Sequence, residues 1–323
     1  MPASVVHAYF SQDVYDILPA NIKKKVNIRK LKMFSQGTEP LRFYNLFRPL
    51  PGKQIRKFNE YFHNNDSQKF FINTIDYIKE NHLYKDEDVC SFLIGFICHY
   101  VLDSNIHPYI YYRTGVFNKK IPPTYKYNNV HLFMETFLDN DMILRREKTN
   151  PYTFKAHKFC YCKDKFSHNL TNTINYSFSK TFNKNNMEKI YYSSLKQARR
   201  ISCIFRRDPI GIKKFCYKLL DTFTSKKTFR FEAISYHYPL DDRHDFLNSS
   251  NKLWRNPTTY DMTSTESFLD LYIKSIKLSK ALVCSTFDYI NGKDVNLNKI
   301  FLNNSYITGL DCKLQKELKY FDF

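Results

Sequence analysis

At 323 residues with 43% hydrophobic side chains, the chain has material for one large domain or two smaller ones and for an ordinary core, which excludes a disordered tail. Seven Gly argue against a Gly-rich sandwich or barrel, dinucleotide-binding and P-loop signatures are absent, and 29 Phe with 25 Tyr suit a helical interior. Fifty Lys and Arg against 31 Asp and Glu give +19, a field that attracts nucleic acid or acidic lipid headgroups, part of which reflects an AT-rich coding bias.

The first turn begins at Ser4, read as an N-cap, and Val6, Phe10, Val14 and Ile17 recur at helical spacing to about Leu18, where Pro19 stops the helix. His7 falls in its first turn. Residues 53–81 fit two helical segments around His63, with Asp66 as the second N-cap. Residues 86–102 form the clearest helix: acidic residues favour its start, and Val89, Phe92, Leu93, Phe96, Ile97, Tyr100 and Val101 make an apolar surface too broad for an exposed position. Residues 128–146 form the next, opening on Asn129 and closing on Arg145, Arg146 and Lys148. Beyond residue 150 the texture becomes more basic, 29 Lys and Arg against 16 Asp and Glu where the first 150 residues carry 21 against 15. A boundary is therefore placed there, dividing 1–150 from a basic helical region 151–323. Residues 185–205 and 210–223 read as helices, and Thr263-Ser264-Thr265-Glu266 reads as a capping box opening another through Ile290. With no strand-like alternation of length, the expected class is all-α.

Residues 1–7 show no basic stretch followed by an apolar one, and no window reads as an apolar run of bilayer length, so the expected location is cytoplasmic. Eight scattered cysteines, with Cys90 and Cys98 in the apolar helix, read as reduced core residues of the same compartment.

Residues four apart project from one helix face, so His99 with Asp103, and His131 with Glu135, can each grip one metal. Imidazole and carboxylate are the usual donors of a catalytic zinc with an open position. A lone His-x3-Asp is more often a hydrogen-bonded pair. Here, however, Asp103 sits in the most apolar helix, where an unpartnered carboxylate is costly. His107 lies two turns beyond His99, and Asp139 continues the polar stripe of His131 and Glu135.

The run from Gly95 through His99, Asp103, His107, Pro108 and Tyr109, followed by His131-x3-Glu135, closely resembles the zinc-dependent phospholipase C family. That family carries, in chain order, an early His, an acidic loop residue, a His, His-x3-Asp, another His and His-x3-Glu. His7, Glu39, His63, His99 with Asp103, His107, and His131 with Glu135 fill the slots over roughly residues 1–146. The resemblance implies a helical bundle holding two or three zinc ions. Glu39, His63, His99 and Asp103 would hold one, His107, His131 and Glu135 a second, and His7 would join Asp103 at a third. Glu39 stands where the family usually has Asp, and would orient or deprotonate the attacking water. Secreted members complete the third site with an N-terminal Trp; here removal of Met1 would leave the Pro2 amine five residues from His7 to take that position.

The implied activity is phospholipid headgroup cleavage by metal-activated water, with an anionic membrane surface as the expected partner. Two alternatives share the scaffold: a single-strand nuclease of the S1/P1 type, whose last motif ends in Asp where this chain has Glu135, and an inactive metal-binding protein. In the second half, residues 236–245 with Trp254 are read as a polar loop or a lid. His157, Cys160, Cys162 and His168 make a weak second metal pattern, and Arg199, Arg200, Arg206 and Arg207 a solvated basic face.

Overall fold

A computed structural model describes residues 3–46, 48–224, 229–237, 245–314 and 316–322. Helices α1 (Ser4–Ile17), α2 (Ala20–Lys23), α3 (Ile28–Phe34), α4 (Pro49–Phe62), α5 (Ser67–Glu80), α6 (Glu87–Thr114) and α7 (Val130–Glu147) make the first half. They are followed by α8 (Ala156–Phe159), α9 (His168–Phe182), α10 (Met187–Phe205), α11 (Ile212–Phe223), α12 (Phe268–Ile290) and α13 (Leu297–Ile300). Among the described residues the only strands are β1 (Trp254–Arg255) and β2 (Thr263–Ser264), an antiparallel pair. The protein is all-α.

Helix α6 is the axis, with α1, α3, α7, α9 and α12 packed around it. Its start follows from Asp86, whose carboxylate accepts the N–H groups of Asp88 and Val89 at 2.9 and 3.1 Å, with Glu87 and Asp88 in the first turn. Gly95 lets α3 cross closely, because a Cβ there would lie 2.6 Å from that of Phe34. The helix runs through Pro108 to Thr114, twelve residues past the expected end at Leu102. Pro108 removes one helical donor, and Gly309 of a distant loop seats against the Ser104 carbonyl, where a Cβ would come within 2.5 Å.

One sequence expectation needs correction here. Helix α6 contains an 18-residue window of mean hydropathy 1.5, long and apolar enough to cross a bilayer, but 89% of that window is buried inside the protein. It is a core helix whose apolar breadth comes from contact on all sides.

Other boundaries shift for local reasons. Ser4 is the first helical residue of α1 and its side chain does not cap; Ala3 takes the cap position at φ 58°. Asp66 precedes α5 at φ 53° without a side-chain cap bond. The capping box belongs to Ser267 and Asp270, and Thr263 and Ser264 instead form β2. All eight cysteines are free thiols.

Candidate metal centre

The polar stripe of α7 explains how α1 is held. Asp139 is fully buried, and its Oδ1 accepts the N–H groups of Val5 and Val6, each at 2.9 Å, supplying the cap that Ser4 does not. Its Oδ2 receives Tyr236 Oη at 2.7 Å and Arg206 Nη1 at 3.2 Å. Arg206 also donates to Ser4 Oγ at 2.6 Å, so it is a buried member of this network and not part of a solvated basic face. The result fixes the first turn of α1, and with it His7.

The other candidate side chains arrive on four elements. Helix α6 presents His99, Asp103 and His107 on successive turns because it does not stop at Pro108. Helix α7 presents His131 and Glu135. His63 ends α4, and Glu39 opens a 3₁₀ turn that follows Gly37. At Gly37, with φ 53°, an added Cβ would lie 2.0 Å from the His99 ring, so a glycine is what lets the Glu39 turn close over that histidine.

These eight residues surround one site. Seven of them line a cavity of about 380 Å³ together with Arg42, Glu60, Asn64, Tyr111 and Ile307, and His99 sits buried directly beneath. Asp103 is the hub: its Oδ1 lies 3.2 Å from His7 Nε2, and its Oδ2 lies 3.4 Å from His99 Nε2, 3.7 Å from His107 Nδ1 and 3.9 Å from His63 Nε2. Glu135 Oε1 lies 3.4 Å from His131 Nε2 and 3.8 Å from His107 Nε2. Donor atoms of His7, His99 and Asp103 lie within 4.8 Å of one another, as do those of His107, His131 and Glu135. Glu39 and His63 pair with each other at 3.0 Å.

Backbone carbonyls orient two of the rings. His63 Nδ1 faces the Asn59 carbonyl at 2.6 Å and His107 Nδ1 the Tyr306 carbonyl at 2.7 Å. A carbonyl only accepts, so Nδ1 carries a proton in each ring and Nε2 is the nitrogen left facing the cavity. Tyr306 also donates its N–H to the His63 carbonyl at 2.9 Å and packs its ring against His63 and His99.

Charge in the cavity is unequally distributed. Burial pushes His99 down to about 3, so it is neutral. Burial also opposes charge on His107, but Asp103 and Glu135 outweigh it and lift that group to about 9. Burial would raise Asp103, Glu39 and Glu135; His107, His99 and His7 pull the first well below the usual range, Arg42 and His63 the second, and His131 and His107 the third. The site thus gathers three ionised buried carboxylates with imidazole nitrogens. His99 Nε2 and Asp103 Oδ2 are buried without a hydrogen-bond partner. Orphaned donor atoms of this type fit a divalent cation of the zinc class.

Sequence reasoning missed several residues. Arg42, whose Nε lies 2.9 Å from Glu39 Oε2, was signalled only by its spacing of three residues. Tyr111 continues the His107 stripe by one turn and was findable once the helix was extended. Tyr306 carries no local signal. Trp254 is buried with its Nε1 donating to the Glu266 carbonyl at 2.9 Å, away from the cavity, and Tyr236 belongs to the Asp139 network. Residues 238–244 of the lid reading, and Pro2, lie outside the described residues. Cys160 donates to the Ser4 carbonyl, Cys162 faces Met33 and His168 faces Asn172, so that pattern does not converge among the described residues.

The family model for zinc-dependent phospholipase C matches residues 6–188, and all eight candidate ligands lie within that span. The match covers more than half of the chain, which belongs to this family. No curated protein and no solved structure matches it.

Proposed function

We propose that this member of the zinc-dependent phospholipase C family is a phosphodiester hydrolase that cleaves a phospholipid between glycerol and phosphate. The observation that carries the reading is the convergence of His7, Glu39, His63, His99, Asp103, His107, His131 and Glu135 on one solvent-reaching cavity whose wall carries Arg42.

His7, His99 and Asp103 would hold one ion and His107, His131 and Glu135 a second, with Glu39 and His63 beside the first. Zinc bound there supplies Lewis-acid charge to a phosphoryl oxygen and acidifies water. Everything else falls to the chain. Asp103 ties the two groups together, and the carbonyls of Asn59 and Tyr306 keep two imidazoles aimed inward. Arg42 offers a guanidinium edge to a phosphate oxygen. Glu39, held ionised by Arg42 and His63, accepts a hydrogen bond from the attacking water and turns its lone pair toward phosphorus. Tyr111, pushed up to about 12 by burial, stays a hydroxyl at neutral pH and can donate to the substrate. As the water oxygen bonds to phosphorus, the bond to the glycerol oxygen breaks. The proton leaves by Glu39 or solvent and reaches that alkoxide.

The test is hydrolysis of phosphatidylcholine, a generic phosphodiester and single-stranded DNA by wild-type protein and by Glu39→Gln. Release of phosphocholine, reduced about 10²-fold or more in the variant, is expected. Preference for DNA would move the site to the nuclease reading, and bound zinc without turnover of any substrate would leave a binding protein.

A further inference from the structure

Helix α11 presents its polar side inward. Its buried side chains are Tyr217 and Asp221, one turn apart. The Tyr217 hydroxyl donates to the Phe205 carbonyl at 2.8 Å, and the Asp221 carboxylate accepts the N–H groups of Phe231 and Glu232 at 2.9 and 2.8 Å. The other side carries Ile212, Phe215, Cys216, Leu219, Leu220 and Phe223, all exposed, with Phe215 at 70% and Phe223 at 82%. At 3.6 residues per turn these six fall within an arc of about 140°. Amphipathic helices of soluble domains turn such a stripe to the core.

Lys213 and Lys218 flank the apolar arc, and Asp221, the helix's one acidic residue, is buried and bonded to backbone. The outer surface of α11 is therefore apolar and cationic, with no carboxylate on it. Twelve residues make a helix about 18 Å long, too short to cross a hydrocarbon core of about 30 Å. A second copy of the chain would set lysines against lysines in a protein of net charge +19. An anionic bilayer supplies both missing complements, acyl chains for the arc and phosphates for the lysines.

We infer that α11 docks the protein on anionic phospholipid membranes, lying in the interface with Ile212, Phe215, Leu219 and Phe223 inserted. The helix lies beyond residue 188, outside the family match. It is coupled to the rim of the cavity through the segment that follows it. Arg230 donates its N–H to Asn129 Oδ1 at 3.2 Å, just before α7 and two residues from His131, and Thr136 donates to the Ala233 carbonyl at 2.7 Å. Docking thus brings that rim close to lipid headgroups. Only this last link rests on the proposed function; the docking itself rests on the exposed face.

The experiment is flotation of the full chain, in chelator, with vesicles of phosphatidylcholine alone and of phosphatidylcholine with phosphatidylserine. Wild-type protein should float with the serine-containing vesicles and less with the others, more weakly as salt rises. The double variant Phe215→Asp, Leu219→Asp should lose about tenfold or more in partitioning while keeping its melting temperature and its hydrolysis of a short-chain, monomeric substrate. Lys213→Glu with Lys218→Glu should remove the serine-dependent part. Wild-type protein that floats with neither vesicle, or a Phe215, Leu219 variant that floats as well as wild type, overturns the proposal. So does a wild-type dimer that this variant dissociates, which would give the face to a second copy. Flotation in chelator reads docking without hydrolysis, so docking there, together with no phospholipid cleavage by the zinc-loaded protein, would keep this inference and remove the proposed activity.

Discussion

The inner and outer parts of the cavity are made differently. His7, His99 and Asp103 are buried, and α1, α3 and α6 hold them through contacts that also build the core, down to a glycine under the His99 ring. His107 and His131 are only partly buried, the His131 side chain being 28% exposed, around the buried Glu135, and His107 leans on a loop some two hundred residues away in sequence. The inner group is preorganised because moving it would disrupt packing, whereas the outer group depends on one backbone carbonyl and on α7. An inner ion should accordingly be held more firmly than an outer one.

Replacing the residue that joins the two parts should have the largest effect. Asp103→Ala removes the carboxylate shared by His7, His99, His107 and His63. Hydrolysis should fall by about 10³-fold or more, a loss of several kcal/mol in transition-state stabilisation, with metal lost from both groups on elemental analysis. Retention of one full equivalent would show that the groups are independent.

Gly37→Ala strikes the inner part alone. It places a side chain at φ 53° and against the His99 ring, and should cost about 1–3 kcal/mol, seen as a lower melting temperature in chelated protein. An unchanged melting temperature would mean that the inner histidine is not fixed by packing. The outer part is tested at Tyr306. Tyr306→Ala removes the ring that wedges the loop against His63 and His99, and affinity for the weaker-held zinc should fall about 10- to 100-fold by competition with a chelating dye. Tyr306→Phe keeps the ring and loses only a hydroxyl that has no hydrogen-bond partner, so it should bind like wild type.

The smallest effect expected is a pH signature of metal-free protein. His107, lifted to about 9, contributes stability that is present below the unfolded value of about 6.5 and lost as pH rises through 9. His99, pushed down to about 3, acts oppositely, and its contribution is lost as pH falls from about 6.5 toward 3. The melting temperature of chelated protein should therefore drop on both sides of neutrality, and His107→Gln should flatten the alkaline side.

The sequence shows most of this where chemistry and helical period coincide. His99 with Asp103 and His131 with Glu135 stand four apart on strongly periodic helices, and the all-α class follows from those same helices. What the sequence hides is long-range. Asp139 reads as one more surface residue on the α7 stripe, yet it caps a helix more than 130 positions away. Arg206 reads as part of a basic face because its partners, Asp139 and Tyr236, are not its neighbours in sequence. Pro108 suggests an end to α6, and only the loop carrying Gly309 and Tyr306 shows how the helix continues past it. Helix α3, seven residues long, is too short for periodicity to reveal.

The most direct measurement is the zinc content of untagged protein, wild type beside His99→Ala and Glu135→Ala. Two or three ions per chain in wild type, with each substitution lowering the count and chelator removing the outer ion first, is the result this account predicts. Folded wild-type protein that was never exposed to chelator and holds less than one ion per chain would contradict it.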